Sequence, residues 1–262
     1  MSTLLAALLV IFGAGAGAAL VALPSHRVVS RRVRHELGAY GTLVSVLAVG
    51  AFGLSVLVML VSAWAALYQA DQSTNREASA LDGLYWYSSV VGGDEGTAMR
   101  ARIRDYTTEV VRVEWTAMDT TGDLTARGWQ IVNDLHYRIE RLSPKPGGES
   151  ERYRDALNAA DALIQARRER ASLARMQFPG VMWFALIGSG LLVTLIPIMR
   201  GNPHPPVRAA LAFVAAATVA FSAFLMYQLN QPFSGSVSVS AAAFEAAFAS
   251  FDDIDELWAR RP

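Results

Sequence analysis

Four long stretches of the chain carry no charged side chain, and their spacing dominates the sequence. They cover residues 1–25, 37–70, 177–199 and 209–244. An α-helix rises about 1.5 Å per residue, so a hydrocarbon layer of roughly 30 Å needs about 20 apolar residues. Within lipid the backbone must satisfy its own hydrogen bonds, which favours helices. We therefore predict an all-α integral membrane protein with four transmembrane helices in two hairpins, near residues 3–23, 42–68, 179–199 and 207–228.

Two other interpretations of these stretches are weaker. Helices of soluble proteins rarely extend beyond about 18 residues without a charge on their wet face. The first stretch resembles a signal peptide, but such a peptide begins with basic residues. Met1, Ser2 and Thr3 carry no charge. We therefore expect the first stretch to be retained as a membrane span.

Residues 71–178, between the second and third spans, have the polar and apolar periodicity of helices in water. One apolar stripe recurs at spacings of three and four, over Met99, Ile103, Tyr106, Val110, Val113 and Ala117. Thr74-Asn75-Arg76-Glu77 fits a capping box, and Asp123 fits an N-cap. The Gly92-Gly93 pair is expected to end the helix that opens at Thr74. We predict an antiparallel helical bundle exposed to water.

The C-terminal segment, residues 230–262, is predicted to hold a turn, a short strand and an amphipathic helix. The strand is expected over 236–240, where serine and valine alternate. The helix carries a stripe of Phe244, Phe248, Phe251, Ile254 and Trp258. Its opposite face is acidic, which disfavours adsorption to anionic lipid, so docking on the bundle is expected.

The arginines of the short loops predict the orientation in the plasma membrane. The loop between the first two spans carries Arg27, Arg31, Arg32 and Arg34, and the loop between the last two carries Arg200 and Arg208. Short cytoplasmic loops are rich in basic residues. Both loops are therefore predicted to be cytoplasmic, with the termini and residues 71–178 extracytoplasmic.

Composition removes several classes of function. The 23 basic and 23 acidic residues give no net charge, so the composition gives no reason to expect a nucleic-acid partner. There is no cysteine, which excludes disulfides, thiolate metal sites and a cysteine nucleophile. The four histidines have no ligand spacing, and no loop has the pattern of a calcium site. We predict neither a metal nor a cofactor.

Glycines of the first span allow two interpretations. Residues 13–18 fit the G-x-G-x-x-A form of a dinucleotide fingerprint, but that motif needs a preceding strand. Gly13 and Gly17 also form a G-x-x-x-G pair, which lets two membrane helices approach closely. Helix packing is the better interpretation, because the motif lies inside one apolar span.

Other candidate residues are polar groups in or near the spans. Without charges in the charge-free stretches, hydroxyls are the candidates to line a pore, namely Ser45, Ser55, Ser62, Thr194, Thr218 and Ser222; each can instead bond to its own helix. Arginines near the start of the third span are candidates for binding anions or lipid headgroups, namely Arg167, Arg168, Arg170 and Arg175. The many carboxylates of the bundle, such as Glu77, Glu109 and Glu114, are expected on a solvated face.

The layout resembles a known family. Glu114-Trp115 in the bundle and the turn with Asn230, Pro232, Phe233 and Gly235 make the chain similar to the bacterial bestrophin-like domain proteins. Bestrophins are pentameric anion channels with four spans per subunit, so the resemblance implies a homo-oligomer in the lipid bilayer that conducts anions. Bestrophins hold their large soluble part in the cytoplasm, which conflicts with the arginine pattern, and we follow the arginines.

A second functional class stays open. The extracytoplasmic bundle and tail could serve a non-conducting membrane scaffold or sensor that binds a partner protein. An enzyme is not expected, because the sequence shows no catalytic constellation.

Overall fold

The computed structural model describes residues 3–23, 31–142, 148–199, 204–235 and 237–260, and for residues 3–4, 31–41, 148 and 199 it describes the backbone alone. The chain forms two compact units. The apolar unit contains Met1–Trp64 and Gln177–Asn230, and the bundle unit contains Ala65–Met176 and Gln231–Pro262.

Nearly all of the described chain is helical, and none of the described residues forms a strand. In chain order the helices are α1 (Thr3–Ala22), α2 (Arg31–Val91), α3 (Gly93–Glu109), α4 (Trp115–Thr121), α5 (Ala126–Glu140), α6 (Gly148–Ala174), α7 (Gly180–Met199), α8 (Pro205–Gln228) and α9 (Ala242–Ala259). A π-helical segment, Val110–Glu114, joins α3 to α4. The predicted all-helical class is confirmed.

Four helices of the described chain are long and apolar enough to cross a membrane. The qualifying segments are Leu5–Ala22, Thr42–Val91, Gly180–Ile198 and Pro205–Gln228. The second is far longer than a bilayer requires, because α2 continues without a break into the bundle unit. The charge-free part of α2 ends before Asp71, which is why the sequence limits the span to 42–68.

In the apolar unit, α1 packs closely along α8, a partner that sequence order did not predict. The rings of Phe12 and Phe213 lie 6.0 Å apart. At the other end of the contact, Arg208 in the first turn of α8 reaches the carbonyl of Ala22 at the end of α1. The two helices are therefore antiparallel, and the end of α1 lies beside the start of α8.

The core of the bundle unit comes from α2, α3, α5, α6 and α9. Met99, Ile103, Tyr106 and Val110 are buried as their stripe predicts. The stripe then departs from the prediction, because Val113 is 46% exposed while Glu114 and Met118 are buried. A π-helix has i→i+5 hydrogen bonds and takes more residues per turn, so the inward position moves from 113 to 114.

Two predicted helix starts are wrong. Thr74 does not open a helix, because α2 runs through it and its hydroxyl donates to the carbonyl of Ala70 at 2.8 Å. α5 begins after Thr125, whose hydroxyl accepts from the backbone N–H of Gly128, and Asp123 is not its N-cap. The break at Gly92-Gly93 is confirmed, since both residues have a positive φ, 63° and 60°.

The predicted strand over 236–240 is also wrong, since residues 237–240 are not a strand. A strand needs a neighbour, and here the N–H of Val239 donates to the carbonyl of Pro232 within the same loop, at 2.9 Å. The predicted docking of the tail helix is confirmed. α9 buries Phe244, Phe251 and Ile254 in the bundle core.

Candidate functional site

Two glutamates and two arginines lie fully buried inside the bundle unit. Glu77 comes from α2, Glu114 from the π-helical segment, and Arg167 and Arg170 from α6. With the hydroxyl of Tyr106 they form what we call the buried ion cluster. Burying a charge is costly unless it is paired and hydrogen-bonded, so the pairing decides whether this cluster stabilises the bundle.

Arg167 binds Glu114 with both terminal nitrogens. Its Nη2 donates to Oε1 at 2.5 Å and its Nη1 to Oε2 at 2.9 Å. Nη1 also donates to the hydroxyl of Tyr106 at 2.8 Å, and Nη2 to the carbonyl of Thr125 at 3.2 Å. This fork-to-fork geometry is the strongest arrangement for an arginine and a carboxylate.

Arg170 joins the two carboxylates. Its Nε and Nη2 donate to the two oxygens of Glu77, at 2.7 and 2.9 Å, and Nη2 also donates to Glu114 Oε2 at 3.0 Å. The hydroxyl of Tyr106 donates to Glu77. Two positive and two negative charges therefore balance inside the bundle.

Aromatic rings and one glycine enclose the cluster. The guanidinium of Arg167 lies over Trp129, 4.7 Å from the ring centroid, and that of Arg170 lies 5.8 Å from Trp115. Such rings favour a cation electrostatically. A Cβ at Gly128 would clash with Nη2 of Arg167. Only a residue without a side chain leaves room for the pair.

Ionisation of the cluster follows from its pairing. Burial raises the pKa of Glu114, but the hydrogen bond of Arg167 and the positive charges of Arg170 and Arg167 outweigh this and hold that pKa below its usual value. Burial and the charge of Glu77 raise the pKa of Tyr106. The glutamate is therefore charged and the tyrosine neutral near neutral pH.

Motif residues of the tail contact Trp115, the first residue of α4. Trp115, next to Glu114, contacts Phe233 edge-on with ring centroids 5.8 Å apart, and its indole N–H donates to the carbonyl of Val239 at 3.3 Å. Gly235 has φ 85°, which favours glycine. Pro232 supplies the carbonyl that holds Val239. Trp115 and the part of the turn that follows Asn230, far apart in sequence, are therefore neighbours in the bundle unit.

Comparison with known proteins identifies the family. A model of the bestrophin-like domain matches residues 12–244. The chain belongs to the bestrophin-like domain family. Among curated proteins, none matches the sequence significantly.

Solved structures share the fold of this bestrophin-like chain. A membrane protein has a TM-score of 0.69 at 13% identity, over 97% of this chain and 100% of its own. A second one has 0.64 at 14% identity, over 96% and 98%. A mutant of a bacterial bestrophin homolog from Klebsiella pneumoniae has 0.62 at 14% identity, over 95% and 98%. The likeness extends over both units.

The structure separates the four arginines that the sequence groups as candidates for anions or lipid headgroups. Arg167 and Arg170 cannot bind an anion or a lipid headgroup from solvent, because both are buried and paired with glutamates. The prediction for these two residues is therefore wrong. Arg168 is exposed. Arg175 is exposed and paired with Asp123 at 2.6 Å. Only these last two can reach a ligand from solvent.

The hydroxyls proposed to line a pore mostly bond to their own helices. Ser55, Ser62, Thr194, Thr218 and Ser222 each donate to a carbonyl three or four residues earlier, at 2.8–3.0 Å. Ser45 is half-buried on α2. A hydroxyl bonded in this way keeps its oxygen lone pairs, so the five can still contact water or a cation more readily than an anion.

Helix packing within the apolar unit uses other glycines than the predicted pair. A Cβ added at Gly13 or Gly17 would meet no atom of the described residues within 4 Å. A Cβ at Gly15 would lie 2.7 Å from the ring of Phe213, and one at Gly190 would lie 2.6 Å from Val219. The predicted pair therefore faces away from the helices that α1 contacts in its own chain.

Some site residues could not be found from the sequence. Nothing in the local pattern distinguishes Glu77 and Glu114 from the solvated acids around them, and their assignment to a wet face is wrong. One feature of the sequence does point to Glu114. It lies next to Val113, at the position where the apolar stripe shifts by one residue and an inward-facing apolar side chain would be expected. Among the described residues, no group of three or more His, Asp or Glu side chains is placed to hold a metal ion.

Proposed function

We propose that this bestrophin-like chain assembles with copies of itself in the cell membrane and conducts anions through a pore between its apolar helices. The observation that carries the proposal is the shared fold, which covers 95% of this chain and 98% of a bacterial bestrophin homolog. Bestrophins are oligomeric anion channels, and a likeness over both units favours the same use of the fold.

The apolar unit supports a pore without charged walls. Its helices that are long enough to cross a membrane expose large apolar side chains such as Leu9, Leu47, Leu191 and Leu211. Such side chains can pack against lipid or against a neighbouring subunit. Pores lined by apolar residues can conduct and gate by changes in wetting. The proposed lining hydroxyls, Ser45, Ser55, Ser62, Thr194, Thr218 and Ser222, add local polarity only.

A second copy of the chain is the natural neighbour for the open face of α1. Within the described part of the single chain, no atom lies within 4 Å of a Cβ added at Gly13 or Gly17. Small residues at this spacing let two membrane helices approach closely, which is the main source of attraction between helices in lipid. We assign this pair to contacts between subunits.

Oligomeric state and conductance test the proposed function together. The purified protein is expected to have a mass several times that of one chain in detergent, measured by light scattering. Reconstituted in planar bilayers under a KCl gradient, it is expected to give currents that reverse near the chloride potential. A monomer that passes no current would contradict the proposal. As a control, Glu256→Gln replaces an exposed residue of α9. This variant should give the same mass in detergent and the same currents as the wild type.

The alternative of a scaffold or sensor has less support from the tail. α9 places Phe244 and Phe251 in the core of the bundle unit instead of presenting them to a partner. An oligomer that never conducts, together with a protein that co-purifies specifically with it, would favour this alternative over a channel.

The proposed orientation puts the bundle unit outside the cell. The chain has no cysteine, so single cysteines report one position each. We expect Ser150→Cys to react with an impermeant maleimide in intact cells, and His204→Cys to react only after the membrane is opened. The reverse pattern would place the bundle unit in the cytoplasm, as in bestrophins.

A further inference from the structure

Arg208 is a buried cation at one end of two apolar helices. It lies in the first turn of α8 and is 2% exposed. Its Nε donates to the carbonyl of Ala22 at 2.9 Å, and its Nη2 to the carbonyl of Leu23 at 3.0 Å. Both acceptors belong to the end of α1. The sequence counts Arg208 among the basic residues of the short loop between the last two spans, whereas the structure places it in a helix and buries it.

The described partners of Arg208 are two backbone carbonyls, which balance only part of its charge. Arg208 takes part in none of the ion pairs found between described residues. Carbonyls at a helix C-terminus together carry about half of a negative charge, against a full positive charge on the guanidinium. An ionisable residue buried at the end of a membrane span is costly and marks a functional position by default.

We propose that Arg208 is the residue that selects anions over cations in this protein. The inference rests on the proposed channel. In a homo-oligomer each subunit contributes one such cation at the same end of α1 and α8, so the charges add around the axis. The field of a buried charge in low dielectric extends further than that of a hydrated one. Arg208 therefore favours small anions such as chloride without touching them.

A purely structural role makes a different prediction. If Arg208 only holds the end of α1, its hydrogen bonds matter and its charge does not. Gln keeps an N–H donor for the carbonyl of Ala22 but has no charge. Lys keeps the charge but cannot bind two carbonyls as a planar fork. The two substitutions therefore separate charge from hydrogen bonding.

The experiment compares reversal potentials of reconstituted protein in a tenfold KCl gradient. Arg208→Gln is expected to lower the ratio of chloride to potassium permeability roughly tenfold, because one unit charge about 6 Å away through water favours an anion about threefold and disfavours a cation by the same factor. Arg208→Lys is expected to keep the wild-type ratio. Arg260→Gln removes an exposed arginine of the tail and serves as the control that should change nothing.

The outcomes distinguish this inference from the proposed function. If the wild-type protein passes no current, both the proposed channel function and the proposed role of Arg208 are overturned. A conducting wild type with Arg208→Gln at the same permeability ratio, or with Gln and Lys changing the ratio equally, overturns the role of the charge alone. If Arg208→Gln does not assemble, Arg208→His replaces it. Its anion preference should rise between pH 8 and pH 5.5 as the imidazole gains a proton, and a preference independent of pH also overturns the inference.

Discussion

Glu114→Gln is expected to lower the unfolding free energy of the bundle unit by about 3 kcal/mol, the range for removing one partner of a buried ion pair. Glu114 accepts from both Arg167 and Arg170. With a neutral amide in its place, two buried guanidiniums share the single carboxylate of Glu77. Unfolding in mild detergent, followed by circular dichroism against urea or temperature, measures the loss.

Glu169→Gln is the matched control for this substitution. Glu169 pairs with Arg76 at 3.2 Å on the surface, and exposed pairs contribute less than about 1 kcal/mol. Equal destabilisation by the two substitutions would show that the burial of the ion cluster adds nothing to stability.

Acid provides a second measurement on the same variants. Because pairing holds the pKa of Glu114 below its usual value, its contribution is complete above the unfolded pKa of about 4.3 and is lost as the pH falls through the lower folded value. The stability difference between wild type and Glu114→Gln should be constant from pH 7 to pH 5 and shrink in stronger acid. A difference that shrinks already between pH 7 and pH 6 would contradict this assignment.

Gly128→Ala is expected to destabilise the bundle unit by about 3 kcal/mol, at the upper end for overpacking a core. The added Cβ would clash with both Arg167 Nη2 and Glu114 Oε1. Ends of flexible side chains usually move aside easily, but these two are held by each other and by the surrounding rings. Relief of the clash therefore breaks the buried pair. The same unfolding measurement tests this substitution.

Gly83→Ala provides a control with the opposite sign. Gly83 lies in α2, and its added Cβ would meet only Ala159, at an ordinary 3.8 Å. Replacing glycine by alanine inside a helix gains about 0.5–1 kcal/mol where space allows. If Gly128→Ala is as stable as the wild type, the buried ion cluster is looser than its geometry indicates.

The sequence alone determined the helical class and the four apolar segments. Both follow from local physics, because about 20 consecutive uncharged residues cannot remain solvated and a backbone in lipid must bond to itself. The stripes of α3 and α9 were likewise predictable, since a period of 3.6 residues identifies the side that is buried. The resemblance carried by Glu114-Trp115 and the Pro-Phe turn led to the correct family.

Only the tertiary structure decided which charges are buried and which helices are neighbours. The π-helical segment shifts one residue inward, so Glu114 faces the core where the pattern expected Val113. Its partners Arg167 and Arg170 lie more than fifty residues away along the chain. Pairing at such a distance leaves no trace in local spacing. For the same reason the sequence could not show that α1 packs on α8, or that Arg208 caps the end of α1.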